Sequence, residues 1–194
     1  MVFQEYTYGV LLVSAGEKFN AALLALLPMT DYWPVTTVKS AAEGRRALLN
    51  RAYDIILVNS PLPDEFGSRL AVDVCTESSA GALLFVKNDL FEDVNAKVME
   101  YGVFTLPKPT SAQTVTQTLR LLCAMRERIR KMEEKQASVE DKIAEIRVVN
   151  RAKWLLIECL SMAEADAQRY IEKQAMDGRI SKREAAERII KTYE

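Results

Sequence analysis

Residues Asp54 to Gly67 read DIILVNSPLPDEFG. The apolar run through Val58 has the length of one buried strand. Pro61 and Pro63 lack the N–H groups a strand or helix would need, so a loop follows the run. After Gly67 a helical pattern extends from Arg69 to about Ser78. This unit of strand, proline-rich loop and helix has similar units on both sides. Before it, Gly9–Val13 (GVLLV) and Pro34–Val38 (PVTTV) read as strands. Ser14 and Glu17, then Ser40 and Glu43, have the S-x-x-E spacing of capping boxes. They predict helices through Leu27, where Pro28 stops the first, and to about Ala52. After it come a strand at Ala82–Val86, a helix at Glu92–Tyr101 closed by Gly102, and a short strand at Val103–Leu106.

Alternating strands and helices imply right-handed crossovers and a parallel sheet. Five such units within the first part of the chain predict an α/β doubly wound, flavodoxin-like domain.

Beyond Pro109 the pattern changes. From Thr110 to about Leu160 there is neither Gly nor Pro. Apolar residues recur at Val115, Leu122, Met125, Ile129, Met132, Val139, Ile143 and Ile146, all at a and d positions of one heptad register, with charged residues such as Arg126–Lys135 (RERIRKMEEK) between them. One amphipathic helix lying on the α/β domain accounts for the first turns only. The spacing therefore predicts a coiled-coil homodimer through Leu122, Met125, Ile129, Met132, Val139, Ile143 and Ile146. The last fifty or so residues read as a small helical bundle: the long helix runs to about Cys159, a second follows the Ser161/Glu164 pair and ends at Asp177-Gly178, and a third follows the Ser181/Glu184 pair. The expected division is an α/β domain at 1–112, a coil at 113–146 and an all-α three-helix domain at 147–194.

Composition narrows the chemistry. Among 194 residues there is no histidine, so histidine general-base catalysis, histidine metal ligation and histidine phosphorelay are excluded. Cys75, Cys123 and Cys159 are far apart and form no CxxC pair, so neither a zinc site nor a disulfide framework is expected. The net charge of −1 gives no whole-chain attraction to nucleic acid, and any such site must be a local patch. No secretion signal and no apolar stretch of spanning length is visible, so a soluble, cytoplasmic protein without membrane contact is expected. No nucleophile–base pair, phosphate loop or metal cluster marks an enzyme, and no cofactor is expected.

Asp54–Gly67 and Gly102–Pro109 (GVFTLPKP) resemble the third-strand and fifth-strand motifs of response-regulator receiver domains, over about residues 8–122. The resemblance implies a carboxylate phosphoacceptor, acidic magnesium ligands and a conserved lysine. Lys108 matches the lysine. The acceptor position is Asn59, the acidic pair is Ser14-Ala15, and the hydroxyl position of the fourth strand is Lys87 or, shifted by one, Val86. An amide accepts no phosphoryl group, and magnesium loses its ligands. A pseudo-receiver that needs no phosphorylation is expected, with a protein or small ligand as possible input. Lys87 points either to water or toward Asn59 and Lys108.

Residues Asn150–Ile190 resemble the ANTAR domain of bacterial antiterminators. The matching stretches are Arg151-Ala152-Lys153 with Leu155-Leu156, Met162-Ala163-Glu164, Gln174-Ala175-Met176-Asp177, and Glu184-Ala185-Ala186 with Ile189-Ile190. Trp154 and Ala163 replace the family's usual glycine and serine. The resemblance implies a two-component antitermination regulator that binds paired stem-loops in nascent mRNA. Arg151, Lys153, Arg169, Lys173, Arg179, Lys182 and Arg183 are the candidate RNA contacts. On charge alone they describe an ordinary solvated face, since Glu164, Asp166, Glu172 and Glu187 are interleaved. The resemblance favours contact for Arg151 and Lys153 above all. A DNA-binding regulator, or an interaction protein that binds no nucleic acid, is the alternative reading.

Overall fold

The computed structural model describes residues 6–193. The chain divides into two compact units, Met1–Lys131 and Met132–Glu194. In the first, β1 (Tyr8–Val13), β2 (Tyr32–Val38), β3 (Ile55–Asn59), β4 (Gly81–Lys87) and β5 (Phe104–Lys108) form one parallel sheet in the order β2-β1-β3-β4-β5. The order reverses beside β1, which opens a crevice at the carboxyl ends of β1 and β3.

Strand periodicity sorts the apolar residues between two layers. Leu11, Val13, Ile56, Val58, Leu84 and Val86 face one core with α2 (Ala41–Asn50), α3 (Ser68–Glu77) and α4 (Phe91–Val98). Val10, Leu12, Ile55, Leu57, Leu83 and Phe85 face the other, covered by α1 (Glu17–Leu24) and the start of α5 (Ala112–Leu160). At Gly67 the backbone takes φ +96°, and a Cβ would lie 2.8 Å from Val58 Cγ1, so the turn into α3 requires glycine.

The second unit comprises the end of α5 with α6 (Glu164–Gly178) and α7 (Lys182–Tyr193). Its core is Ala152, Leu156, Ala167, Ile171, Ala175, Ala185, Ala186 and Ile189. The many alanines let the helix backbones approach closely. No described helix is long and apolar enough to cross a membrane.

Several local expectations are corrected. Ser14 does not cap α1. Gly16 is the N-cap and has no side chain to make a cap bond, while the buried Ser14 hydroxyl accepts from Asn59 and from the Gly16 N–H. Ser161 does not cap α6 either: its φ is 51°, and Ala163, which has no hydroxyl, is the N-cap. Gly178 stays helical, and Arg179 takes the left-handed C-cap at φ 52°. The Ser40 and Ser181 caps do form, accepting from the N–H groups of Glu43 and Glu184.

The largest correction concerns the seam. Val115 and Leu122 are buried in the α/β core, and a Cβ on Gly81 would lie 2.8 Å from Leu122 Cδ2. Leu122 thus packs within its own chain and is withdrawn from the dimerisation set. Met125, Met132, Val139, Ile143 and Ile146 remain exposed, and Ile129 is half-buried.

Leu122→Ala is expected to destabilise the α/β unit by about 2–5 kcal/mol, whereas Lys18→Ala, at an exposed position of α1, should change stability by less than about 0.5 kcal/mol. Urea unfolding of both variants checks this, and equal midpoints would place Leu122 outside the core.

Candidate functional site

The crevice at the carboxyl ends of β1 and β3 holds a hydrogen-bonded chain of neutral and cationic groups. Lys108 Nζ donates to Asn59 Oδ1 at 2.6 Å and to the Ser60 carbonyl. Asn59 Nδ2 donates to Ser14 Oγ at 2.9 Å, and the Gly16 N–H donates to the same oxygen at 3.2 Å. Asn20 Nδ2 closes the chain on the Ser14 carbonyl. The Phe19 ring lies 5.9 Å from Lys108 Nζ and packs edge-on against Phe85. Burial holds the Lys108 ammonium below the usual lysine range, and the positive charge of Lys87 pushes it further down. Lys87 is exposed and sits in register with Lys108. Lys87 thus faces water, the first of its two sequence readings.

The nearby acids serve the fold. Asp64 accepts from the N–H groups of Ala41 and Ala42, each at 2.9 Å, which places a carboxylate on the N-terminus of α2 and holds it below the usual range. Glu65 pairs with Arg45 at 3.0 Å. The magnesium ion that a receiver would hold does not fit here. The crevice offers a hydroxyl, an amide and an ammonium, and among the described residues no three Asp, Glu or Cys side chains are grouped to bind a metal.

At the opposite end of the strands, Asp54 accepts from Gly9 N–H at 2.9 Å, from Tyr6 Oη and from Arg126 Nε at 3.1 Å. Glu127 accepts from Tyr8 Oη, and the Arg130 guanidinium stacks 4.9 Å from the Tyr6 ring centroid. These bonds tie α5 to the sheet just before its apolar positions become exposed. Sequence reading missed this network because its partners come from three separate segments.

The seven basic candidates of the helical unit fare differently. Lys153 is only 18% exposed and pairs with Glu164 at 3.3 Å, so it joins α5 to the start of α6. Lys182 pairs with Glu172 at 2.8 Å, Arg183 with Glu187 at 2.9 Å and Arg169 with Asp166 at 3.7 Å. Arg151, Lys173 and Arg179 are exposed. Arg169 and Lys173 share the outer face of α6, one turn apart. Trp154, at the family's glycine position, is turned outward and leaves the bundle core undisturbed.

The ANTAR domain family matches residues 137–190, so the match begins inside the stretch read from heptads as coil. The α/β unit has the receiver fold. It superposes on the signal receiver domain of an HD domain-containing protein from Pseudomonas fluorescens Pf-5 with a TM-score of 0.58 at 23% identity, over 64% of this chain and 93% of that one. It also matches the receiver domain of the TMAO respiratory system response regulator TorR, with a TM-score of 0.53 at 23% identity, over 60% of this chain and 96% of that one. Receiver fold and ANTAR domain together define an ANTAR-domain response regulator. In particular, the chain is similar to the transcriptional regulatory protein PdtaR of Mycobacterium tuberculosis, at 27% identity over 163 residues, which cover 80% of this chain and 77% of PdtaR.

Lys108→Ala would leave Asn59 Oδ1 and the Ser60 carbonyl without their shared donor. The expected cost is about 1–3 kcal/mol, read as a lowered urea midpoint. A midpoint equal to wild type would show that the bond contributes nothing net.

Proposed function

We propose that this protein is an RNA-binding antitermination regulator. It acts as a homodimer on paired stem-loops in nascent mRNA, without phosphorylation of its receiver domain and without catalytic activity of its own. The observation that carries the reading is the ANTAR match over residues 137–190, which coincides with a three-helix unit that has its own core.

Antitermination by RNA binding requires the protein to stabilise one RNA fold against a competing terminator. Two linked binding units raise effective concentration when the target carries two loops. The exposed Met132, Val139, Ile143 and Ile146 supply the pairing surface, since they recur at heptad spacing along α5 and no described part of the chain covers them. Independence from phosphorylation is supported by the crevice. Asn59 is not a carboxylate, and its amide is held between Lys108 and Ser14. In a receiver the lysine answers a charge that comes and goes; here it is bonded to a permanent amide. The α/β unit would then contribute through a protein or small-ligand contact. Of the basic candidates, Arg151 by its place in the ANTAR resemblance, and Lys173 and Arg179 by their exposure, favour RNA contact, whereas Lys153 acts chiefly by setting the start of α6.

Incubated with acetyl phosphate and magnesium, wild type and Asn59→Asp should both keep their unmodified mass, the first for want of an acceptor and the second for want of metal ligands. A stoichiometric, base-labile adduct on wild type in intact-mass spectrometry would refute phosphorylation independence. Val139→Asp together with Ile143→Asp should give a folded monomer by sedimentation, because charges on a paired apolar seam are costly to desolvate. That monomer should keep single-hairpin affinity and lose the wild-type preference for two-hairpin RNA. Equal wild-type affinity for one- and two-hairpin RNAs would reject the paired-site mechanism.

A further inference from the structure

The helical unit displays one large aromatic ring that its own packing does not use. Trp154 is 70% exposed in the last turns of α5, whereas Ala152 and Leu156, two residues to either side, are fully buried. At about 100° per residue, Trp154 lies nearly opposite them, on the side away from α6 and α7. Residues three, four and seven positions earlier share its face: Arg151, Asn150 and Arg147, all exposed. The face therefore presents an indole ring, a side-chain amide and two guanidinium groups within two helical turns, and Glu158, one turn further on, ends it.

We propose that Trp154 is a base-stacking residue that receives an unstacked nucleobase of single-stranded or loop RNA, with Arg147 and Arg151 against the flanking phosphates and Asn150 at the base edge. The inference rests on the RNA-binding reading above and deepens it. The chemistry favours this occupant over a protein surface. A ring bordered by cations suits a ligand that combines a flat π-face with negative charge, and a nucleotide is such a ligand. An apolar partner would have to strip water from two guanidinium groups to cover the ring. The apolar stripe along α5 consists of aliphatic and thioether side chains at a and d positions up to Ile146. Two of the seam positions beyond it, Lys153 and Ile157, are half-buried within the chain's own bundle. Trp154 itself stands at neither an a nor a d position, although Asn150, the a position after Ile146, is exposed beside it. A stacking contact also differs from a phosphate contact in a measurable way: it contributes affinity that salt does not screen.

The chain has two tryptophans, so full-length protein carrying Trp33→Phe reports on Trp154 alone. It is titrated with a pool of RNA hairpins of randomised loop sequence and with the same stem closed as a blunt duplex. Indole emission should be quenched by the hairpins and not by the duplex. In the wild-type background, Trp154→Ala should weaken hairpin binding by about ten- to a hundred-fold, with the salt slope unchanged. Trp154→Phe, which keeps an aromatic face, should retain most of the affinity. Circular dichroism and sedimentation confirm that each variant is folded and keeps its oligomeric state. If wild type binds the hairpins but Trp154→Ala binds them equally well, or if indole emission stays unchanged, the stacking assignment falls and the RNA reading stands. If Trp154→Ala dissociates the protein into monomers, the ring belongs to a contact with a second copy and the assignment is overturned. If wild type binds no hairpin at any salt, both readings fall together.

Discussion

One unbroken helix supplies side chains to both cores of this protein. α5 runs from Ala112 to Leu160 without a glycine or proline. Its first turns place Val115, Leu119 and Leu122 against the parallel sheet, where Leu122 packs directly over Gly81. Its last turns place Ala152 and Leu156 in the three-helix core. Between these stretches it carries apolar residues that no described part of the chain covers. Arg126 bonded to Asp54, and Arg130 stacked on Tyr6, fix the helix at the point where it stops serving the sheet. Whatever passes between the α/β unit and the helical unit along the covalent chain passes through this element.

In the crevice of the α/β unit, a hydroxyl, an amide and an ammonium stand where the receiver resemblance implies acids beside a lysine. A buried ammonium needs partners, since desolvation penalises the charged form. Lys108 finds them in an amide oxygen and a backbone carbonyl, both uncharged. The carboxylates closest in sequence, Asp64 and Glu65, face structural tasks at the N-terminus of α2 and at Arg45. Lys108 and Asn59 thus find partners inside the crevice, whereas the buried Asn20 Oδ1 and Ser60 Oγ have no hydrogen-bond partner among the described residues.

In the helical unit a similar division separates covered charges that hold the fold from exposed ones. Lys153 sits where the ANTAR resemblance marks a basic residue, yet most of its side chain is covered and its amine meets Glu164. Lys182 and Arg183 also have acidic neighbours within their own unit. Exposed pairs of this kind contribute little to stability, so they remain available to exchange a carboxylate for a phosphate at small cost. Lys153, being largely covered, is not available in the same way.

The sequence by itself determined the order of strands and helices, because buried strands and amphipathic helices leave different periods in the chain, and Pro28, Pro61 and Gly102 punctuate them. It also placed an amide at Asn59 and the pair Ser14-Ala15 where the receiver resemblance implies acids, and no folding changes those identities. The heptad register of α5 was legible too, but not which turns of that register face inward. Val115 and Leu122 carry the same signature as Ile143 and Ile146, and only the sheet packed beneath the first pair separates core from exposed seam. Capping shows the same limit. Ser14 and Ser40 have identical S-x-x-E spacing, yet Ser14 is diverted by Asn59, forty-five residues away in sequence and 2.9 Å away in space. Tertiary structure decided these points because a side chain's role depends on which of several partners reaches it first, and contacts between distant segments leave no periodic trace in the sequence.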